Sequence, residues 1–97
     1  MVQVLAIIQA ETPEMREQLL ERSKDVAAQS RLESGCVSYE IFTSGSRRIV
    51  FLEEWESPEA LGAHAQGSTF AGLMETLDEL GVRDSFQVLP ISPVVVA

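Results

Sequence analysis

The sequence predicts an α+β domain of ferredoxin-like βαββαβ topology, in which helices cover one face of an antiparallel four-stranded sheet. Two observations predict it. Four runs of aliphatic and β-branched residues alternate with two stretches of helical periodicity, and each stretch opens on a hydroxyl residue followed by proline. Because 97 residues support one hydrophobic core, we expect a single domain over residues 1–97. Right-handed crossovers then place both helical stretches on the same face of the sheet.

Three elements are predicted in the first half of the chain. Residues 2–10 are mostly aliphatic, which is typical of a strand. Thr12 and Pro13 supply the N-cap and first-position proline of a helix that should reach about residue 32. Gly35 suits the position just past a helix end, and residues 36–43 predict the second strand.

The second half of the chain begins with a predicted hairpin. A Ser-Gly-Ser turn at residues 44–46 leads into a third strand over residues 48–56, so these two strands should be antiparallel neighbours. Ser57 and Pro58 then open a short helix that carries His64. Residues 67–69 break and restart it, and an amphipathic helix follows. The last strand is expected over residues 85–91, with a valine-rich tail at 94–96.

Composition and charge exclude several classes of partner. Seven basic residues against fifteen acidic ones give a formal net charge of -8, which repels phosphate and anionic lipid. We therefore expect no nucleic-acid or membrane partner, and the longest apolar run, residues 4–8, is too short to span a bilayer. The single cysteine, Cys36, cannot form an internal disulfide, which favours a reducing cytoplasm.

The predicted strands carry apolar residues on both faces, which predicts a homodimer. Successive residues of a strand point to opposite faces of the sheet. In the first strand Val4, Ala6 and Ile8 share one face and Leu5 and Ile7 the other, and in the third strand Ile49 and Phe51 oppose Val50 and Leu52. In the second strand Val37, Tyr39 and Ile41 oppose Cys36 and Phe42. Helices can cover only one face of the sheet, and soluble monomers rarely expose an apolar surface of that size. We expect a second copy to cover the other face, with the C-terminal tail contributing to the contact.

Three stretches resemble the antibiotic biosynthesis monooxygenase superfamily of dimeric ferredoxin-like proteins. They are Glu-Ser-Gly-Cys at residues 33–36 followed by Tyr-Glu at 39–40, Phe-Leu-Glu-Glu-Trp-Glu-Ser at 51–57, and His64 six residues ahead of Phe70. The resemblance implies a dimeric α+β barrel and a ligand between helices and sheet. Members of that superfamily include cofactor-free monooxygenases of quinols and anthrones, haem-degrading enzymes, a quorum-signal isomerase and proteins without known activity.

The chain departs from the superfamily pattern at two points, and these departures limit the activities that the resemblance implies. Haem-degrading members pair a His on the last helix with an Asn on the first strand and a Trp on the middle helix. This chain lacks the first two, and His64 stands at the position of that Trp. Haem is therefore not an expected cofactor. Many quinol-oxidising relatives also carry a second His just before the Phe, where this chain has Thr69.

His64 is the candidate catalytic residue. It shares an apolar helix face with Ala60 and Leu61, and its small neighbours leave space for a ligand. An imidazole that titrates near neutrality suits proton transfer from a phenol. The alternative is a half-buried His that is bonded to a backbone carbonyl and has no ligand.

The other candidate site residues surround His64 in the sequence. Tyr39 is a second catalytic candidate that could hydrogen-bond an oxygenated intermediate, or it could face a partner subunit. Phe51, Trp55 and Phe70 are candidate substrate walls, with core packing as the alternative. Glu53 shares the face of Phe51 and Trp55 and is a candidate substrate-binding group. A solvated strand end is the alternative for Glu53 and for Glu54 alike.

The resulting hypothesis is a cofactor-independent monooxygenase that oxidises a small phenol, quinol or anthrone with dioxygen. The deprotonated substrate is itself the reductant, so no cofactor is expected. One His without clustered Cys or spaced carboxylates also gives no expected metal site. Two alternatives remain open: a non-catalytic module that binds an aromatic metabolite or serves a stress response, and an isomerase or lyase on the same fold.

Overall fold

The computed structural model describes residues 1–96 and has the predicted βαββαβ architecture, with the second helical position divided into two helices. Its elements are β1 (Val2–Gln9), α1 (Pro13–Ser30), β2 (Cys36–Ser44), β3 (Arg48–Trp55), α2 (Pro58–Ala65), α3 (Ser68–Glu79), a 3-10 turn (Arg83–Ser85) and β4 (Gln87–Ile91). The strand order is β2-β3-β1-β4, and every neighbouring pair is antiparallel. This is the ferredoxin-like order that the sequence predicts.

The helices begin where the sequence places them. Thr12 accepts a hydrogen bond from the Met15 N–H at 3.1 Å at the start of α1. Ser57 accepts one from the Ala60 N–H at 3.2 Å at the start of α2. Each hydroxyl satisfies one of the N–H groups that a helix start leaves without a partner, which stabilises each helix by about 1 kcal/mol.

The core lies between the helices and the inner face of the sheet. Its members that are no more than 3% exposed include Val4, Ala6 and Ile8 of β1, Ile49, Phe51 and Trp55 of β3, Leu19, Val26 and Ala27 of α1, and Leu73 and Leu77 of α3. β1 and β3 are the two central strands, so their inward residues meet the helices directly. The period-2 alternation that predicted these strands is thus the alternation of their burial.

The predicted facing of Val37 is wrong. The pairing of β2 with β3 shifts register between Cys36 and Ser38, which is a β-bulge at the start of the strand. The extra residue breaks the alternation, so Val37 is 48% exposed while Cys36 packs against the core. From Tyr39 onward the regular alternation returns, and Tyr39 is buried in the core, so the alternative that it faces a partner subunit is wrong.

The last strand is shorter than predicted. Residues 83–85 form a 3-10 turn, and β4 begins only at Gln87. The Ser85 hydroxyl donates to the Val82 carbonyl at 2.7 Å and accepts from the Gln9 N–H at 3.1 Å. Because the Ser85 side chain already satisfies the Gln9 N–H at the end of β1, the pairing of β1 with β4 does not extend to Gln9.

The second face of the sheet, called the outer face below, is apolar along its centre. Strand register aligns Leu52, Leu5 and Leu89 in one row and Phe42, Val50 and Ile7 in the next. Phe42 and Leu89 are 47% and 46% exposed. The tail residues Val94, Val95 and Val96 have no regular structure and are more than 80% exposed.

Candidate functional site

The candidate site centres on His64 in the last turn of α2. The side chain faces the sheet and is only 3% exposed. Ala60 precedes it by one helical turn and packs against the core, as the shared stripe predicts. The sole imidazole of the chain is therefore part of the interior.

Two carboxylates flank the imidazole. Nδ1 of His64 lies 3.0 Å from Oε1 of Glu33, and Nε2 lies 3.8 Å from Oε1 of Glu53. The first contact is a hydrogen bond, whereas the second is too long for one. An ionised carboxylate can only accept, so Nδ1 carries the proton when Glu33 is ionised. The hydrogen bond to Glu33 thus fixes which ring nitrogen points toward Glu53.

Glu33 is held by the loop between α1 and β2. Its N–H donates to the Ser30 carbonyl at 3.0 Å, and its carbonyl accepts from the Cys36 N–H at 3.2 Å. Both bonds keep the loop tight after the end of α1. They direct the Glu33 side chain back toward α2, where it meets His64.

Aromatic rings enclose the rest of the imidazole. Trp55 lies nearest, with ring centroids 4.6 Å apart and planes tilted by 33°. Tyr39 and Phe70 approach edge-on at 5.7 and 5.8 Å. Phe51 extends the set, since its ring meets that of Tyr39 at 5.9 Å. We call His64, Glu33, Glu53, Tyr39, Phe51, Trp55 and Phe70 the His64 cluster.

Glu53 is a buried carboxyl with one strong partner. It is 5% exposed and accepts a hydrogen bond from Trp55 Nε1 at 3.0 Å. Burial raises the pKa of Glu53, while the Trp55 hydrogen bond and the nearby His64 act in the opposite direction. The interpretation of Glu53 as a solvated strand end is therefore wrong. Glu54 points to the outer face and is only partly exposed there, with an acceptor contact of 3.4 Å from Gln3 Nε2.

The Tyr39 phenol is protonated at every physiological pH. Burial raises the pKa of Tyr39 strongly, and the negative charge of Glu53 adds to the effect. Ser30 acts in the opposite direction, although its hydroxyl makes no well-formed hydrogen bond. Tyr39 can therefore supply a proton to a hydrogen bond in this cluster, but it is not a base.

A cavity of about 330 Å³ adjoins the cluster. Its walls are Glu33, Ser34, Ala60, Ala63, Gly67, Ser68 and Thr69. Glu33 belongs both to the cluster and to the cavity wall, and its side chain is 28% exposed. Within residues 1–96, no group of three His, Cys, Asp or Glu side chains is placed to hold a metal ion.

The structure brings together all six residues predicted for the site. His64, Tyr39, Glu53, Phe51, Trp55 and Phe70 all belong to the His64 cluster. The polar partner of His64 is a carboxylate, whereas the alternative prediction named a backbone carbonyl. Sequence reasoning missed Glu33 as a site residue. Its only sequence signal is its place directly before Ser-Gly-Cys, which identifies a loop and gives no contact.

A family model described as antibiotic biosynthesis monooxygenase matches residues 1–76. The chain belongs to the antibiotic biosynthesis monooxygenase family. The matched residues include every member of the His64 cluster. No protein with a curated description matches the chain.

Solved structures in the same fold extend the comparison. Rv0793 from Mycobacterium tuberculosis is 25% identical, with a TM-score of 0.83 and coverage of 99% of this chain and 97% of its own. A structure described as an antibiotic biosynthesis monooxygenase is also 25% identical, with a TM-score of 0.84 and coverage of 98% and 100%. PA3566 from Pseudomonas aeruginosa is 21% identical at a TM-score of 0.83, covering 97% and 94%, and supports the fold alone.

Membership of the antibiotic biosynthesis monooxygenase family agrees with the resemblance noted in the sequence. The fold and the element order follow from it and from the structure together. No helix among residues 1–96 has both the length and the apolar character needed to cross a bilayer.

Proposed function

We propose that the protein is a cofactor-independent monooxygenase that oxidises a small phenol, quinol or anthrone-like substrate with dioxygen. The observation that carries the proposal is the His64 cluster. A single imidazole, hydrogen-bonded to one carboxylate and close to a second, lies among aromatic rings in a chain of the antibiotic biosynthesis monooxygenase family. Such an environment suits a base that must work away from bulk water.

The chemistry needs a base and a dry site. Loss of the hydroxyl proton gives a phenolate, whose electron density reaches a ring carbon and can be transferred to dioxygen. A C–O bond forms there, and the peroxide then loses water as its O–O bond breaks, which leaves a new carbonyl. A quinol and one dioxygen molecule thus give a hydroxylated quinone and one water, so one oxygen atom enters the product and the other leaves as water. The substrate supplies every electron, so no cofactor is required.

The six cluster residues that the sequence predicts each have a proposed role. His64 accepts the proton, and Tyr39, which stays protonated, donates a hydrogen bond to the oxygenated intermediate. Phe51, Trp55 and Phe70 are the apolar walls, of which Phe70 is only partly buried. Glu53 stabilises the protonated imidazole on the Nε2 side.

The proposed assembly is a homodimer in the cytoplasm. The outer face and the tail 94–96 are apolar surface that a second copy would bury. Cys36 is the single cysteine of the chain and has no internal partner for a disulfide, which favours a reducing location. The negative net charge argues against nucleic acid and anionic membranes as partners.

One observation favours a second candidate function. The rings of Trp55, Tyr39 and Phe70 contact the imidazole directly and leave it 3% exposed, so the cluster is closed. An imidazole that a ligand cannot reach does not take a proton from it, which favours a module that binds an aromatic metabolite in the adjoining cavity without converting it. An isomerase or lyase would use the same imidazole without dioxygen.

Dioxygen uptake by metal-free protein tests the proposal. We expect uptake that saturates with a quinol or anthrone after correction for autoxidation. His64→Gln should lower it by roughly 100- to 10,000-fold, because general-base catalysis contributes about that much. Gln66→Ala, on the exposed end of α2, is the matched control and should leave uptake unchanged.

The other outcomes separate the candidates. Absence of uptake above autoxidation across the panel would overturn the monooxygenase proposal. Tight binding without uptake would then support the binding module, and product formed without dioxygen would support the isomerase or lyase. Equal uptake by His64→Gln and the parent protein would remove His64 from the reaction.

A further inference from the structure

We propose that a groove between α1 and β2 binds a medium-chain aliphatic carboxylate, whose charge is held by Arg31 and Lys24. The groove has a volume of about 390 Å³, at the lower end of the range for small-molecule sites. The walls of this α1–β2 groove are Leu20, Lys24, Ala27, Arg31, Ile41 and Thr43. None of them belongs to the His64 cluster, so the groove is a second site that does not depend on the proposed function.

Helical spacing places four of the wall residues in one row. Leu20, Lys24 and Ala27 recur one turn apart along α1. Arg31 follows four residues later as the C-cap of the helix. The row is about 16 Å long at 1.5 Å per residue. The two wall residues from β2 face this row, and β2 is an edge strand. The groove is therefore elongated and lies at the edge of the sheet.

The floor of the groove is aliphatic. Ala27 is 3% exposed, and Leu20 and Ile41 are half-buried and pack against the core. Among residues 1–96, no aromatic ring lines the groove. A hydrocarbon chain along the row would remove apolar surface of both ligand and protein from water. The length and the lining of the groove therefore favour an aliphatic chain over a planar ring.

Both charged side chains of the wall are cations. Arg31 and Lys24 line the groove, and no Asp or Glu of the described residues does. The chain has fifteen acidic residues against seven basic ones, so this surface is opposite in sign to the net charge of -8. A ligand with one negative charge would be attracted here, although the protein as a whole repels it.

Arg31 is held by one hydrogen bond and has no carboxylate partner. Its Nε donates to the Tyr39 carbonyl at 2.9 Å, which holds the guanidinium against β2. Within the part of the chain that the structure describes, Arg31 takes part in no ion pair. The terminal nitrogens of a guanidinium form a planar fork that matches the two oxygens of a carboxylate. Arg31 can therefore bind a ligand carboxylate without losing an ion pair within the chain.

Lys24 contributes a second, weaker charge. Its Nζ lies 3.0 Å from Oε1 of Glu21, one helical turn before it, and both side chains are mostly exposed. Such surface pairs contribute little to stability, because water screens them and both side chains lose freedom. A ligand carboxylate in the groove can therefore replace Glu21 as the partner of Lys24 at little cost.

Octanoate is a suitable probe, and titration calorimetry near neutral pH measures its binding to the full chain. Octanamide has the same chain without the charge and should bind at least roughly 10-fold more weakly, because hydrogen bonds to charged groups are lost. Affinity should rise from butyrate to hexanoate to octanoate, by up to about fourfold per methylene group. Added salt should weaken the binding of octanoate and leave that of octanamide unchanged.

Two variants test the cations. Arg31→Gln should weaken octanoate binding roughly 10-fold and Lys24→Gln roughly two- to fivefold. Lys24→Gln leaves the bond from Arg31 to the Tyr39 carbonyl in place, so it separates the loss of charge from any change in the fold. Arg83→Gln removes the same charge from the exposed 3-10 turn and is the matched control, which should bind octanoate as the parent protein does.

Thr43→Glu tests the charge of the groove from the opposite wall. Thr43 is exposed near the end of β2, so this substitution adds an acid to the groove without altering the core. It should lower the affinity for octanoate roughly 10-fold, whereas Thr43→Gln, of similar size, should bind as the parent protein does. In both the parent protein and Thr43→Gln, octanoate should shift the methyl NMR signals of Leu20, Ala27 and Ile41, which locates the chain in the groove.

Three results would overturn the proposal. They are failure of the parent protein to bind octanoate, equal binding of octanoate and octanamide, and equal binding of octanoate by the parent protein, Arg31→Gln and Lys24→Gln. If the parent protein fails to bind but Val95→Asp, in the exposed apolar tail, binds octanoate, the tail of a second copy occupies the groove in place of a free acid. None of these measurements involves dioxygen or a quinol, so they test the groove independently of the proposed function.

Discussion

Glu53 is the residue at which burial and ionisation conflict most directly. Its carboxyl is 5% exposed, and the Trp55 N–H that it accepts does not replace all the water that a carboxylate binds. Burial therefore raises its pKa above the value of 4.5 for a free side chain. The charges around it are mixed, since Glu33 raises the pKa further and His64 lowers it.

The Glu53→Gln variant should become more stable than the parent protein as the pH rises. A carboxyl with a raised folded-state pKa contributes stability below its unfolded-state pKa and loses it as pH increases through the folded-state value. Gln keeps an oxygen acceptor for Trp55 and never ionises. The free energy of unfolding of Glu53→Gln relative to the parent should therefore grow above about pH 4.5, by at most about 1.4 kcal/mol per pH unit.

Urea denaturation across a pH series measures this difference. Glu54→Gln is the control, since it removes the same charge from the next residue of β3, on the other face of the sheet. A matching pH trend in both variants would attribute the effect to net charge and contradict the role of burial. A Glu53→Gln variant that loses stability as pH rises would reverse the assigned direction.

The members of the His64 cluster that lie on regular elements could be predicted to lie together from the sequence. Phe51, Glu53 and Trp55 are spaced two residues apart along β3, and the two-residue period of a strand places their side chains on the same face. His64 follows from the helical stripe that it shares with Ala60. Glu33 could not be predicted, because a loop has no period and its contact with His64 spans 31 residues.

At the scale of elements, the approach of the α1–β2 loop to α2 determines the distance between Glu33 and His64. Gly35 adopts φ +84°, and a Cβ at this position would lie 2.5 Å from Cβ of Ala60. Glycine is therefore required twice, by the backbone conformation and by the contact. The loop carries Glu33 and the helix carries His64, so this close packing holds the pair together.

Gly35→Ala should destabilise the fold and separate the pair. Left-handed backbone costs a non-glycine residue about 1–3 kcal/mol, and the collision with Ala60 adds to it by displacing α2. Because the chain has one His, ring NMR signals of His64 report the altered hydrogen bond without ambiguity. Urea denaturation gives the loss of stability.

Two further variants separate the cost of the backbone conformation from the cost of the collision with Ala60. Gly45→Ala has the same kind of backbone, at φ +60°, but no atom within 4 Å of the added Cβ, so it should show the conformational cost alone. Ala60→Gly in the Gly35→Ala background removes the colliding atom and should restore the His64 signals. Equal losses in Gly35→Ala and Gly45→Ala would contradict the steric part of the argument.

Elements with strong local signals were predicted well, and those set by tertiary contacts were not. Thr12 and Ser57 mark their helix starts because capping is a local hydrogen bond. The bulge that turns Val37 outward arises from pairing with β3, and the 3-10 turn depends on the bond from Gln9 to Ser85. Neither partner is visible in the sequence around the element itself.

At the scale of the whole molecule, the sheet has two apolar faces but helices on only one of them. The row formed by Leu52, Leu5 and Leu89 crosses three strands of the outer face. Polar residues border this row on one side, since Glu54 and Gln3 pair next to it. An apolar centre with a polar margin is the usual composition of a protein–protein interface.

We expect the protein to be a dimer through the outer face, with a mass about twice the 10.7 kDa of one chain. Leu52→Asp should weaken dimerisation by roughly 100-fold or more, because twofold symmetry would bury two unpaired carboxylates at once. Leu32→Asp, at a position 88% exposed outside the outer face, is the matched control and should remain dimeric. Light scattering after size exclusion, over a range of protein concentrations, measures the mass. A monomeric parent protein, or a Leu52→Asp variant that dimerises as the parent does, would show that something other than a second copy covers this face.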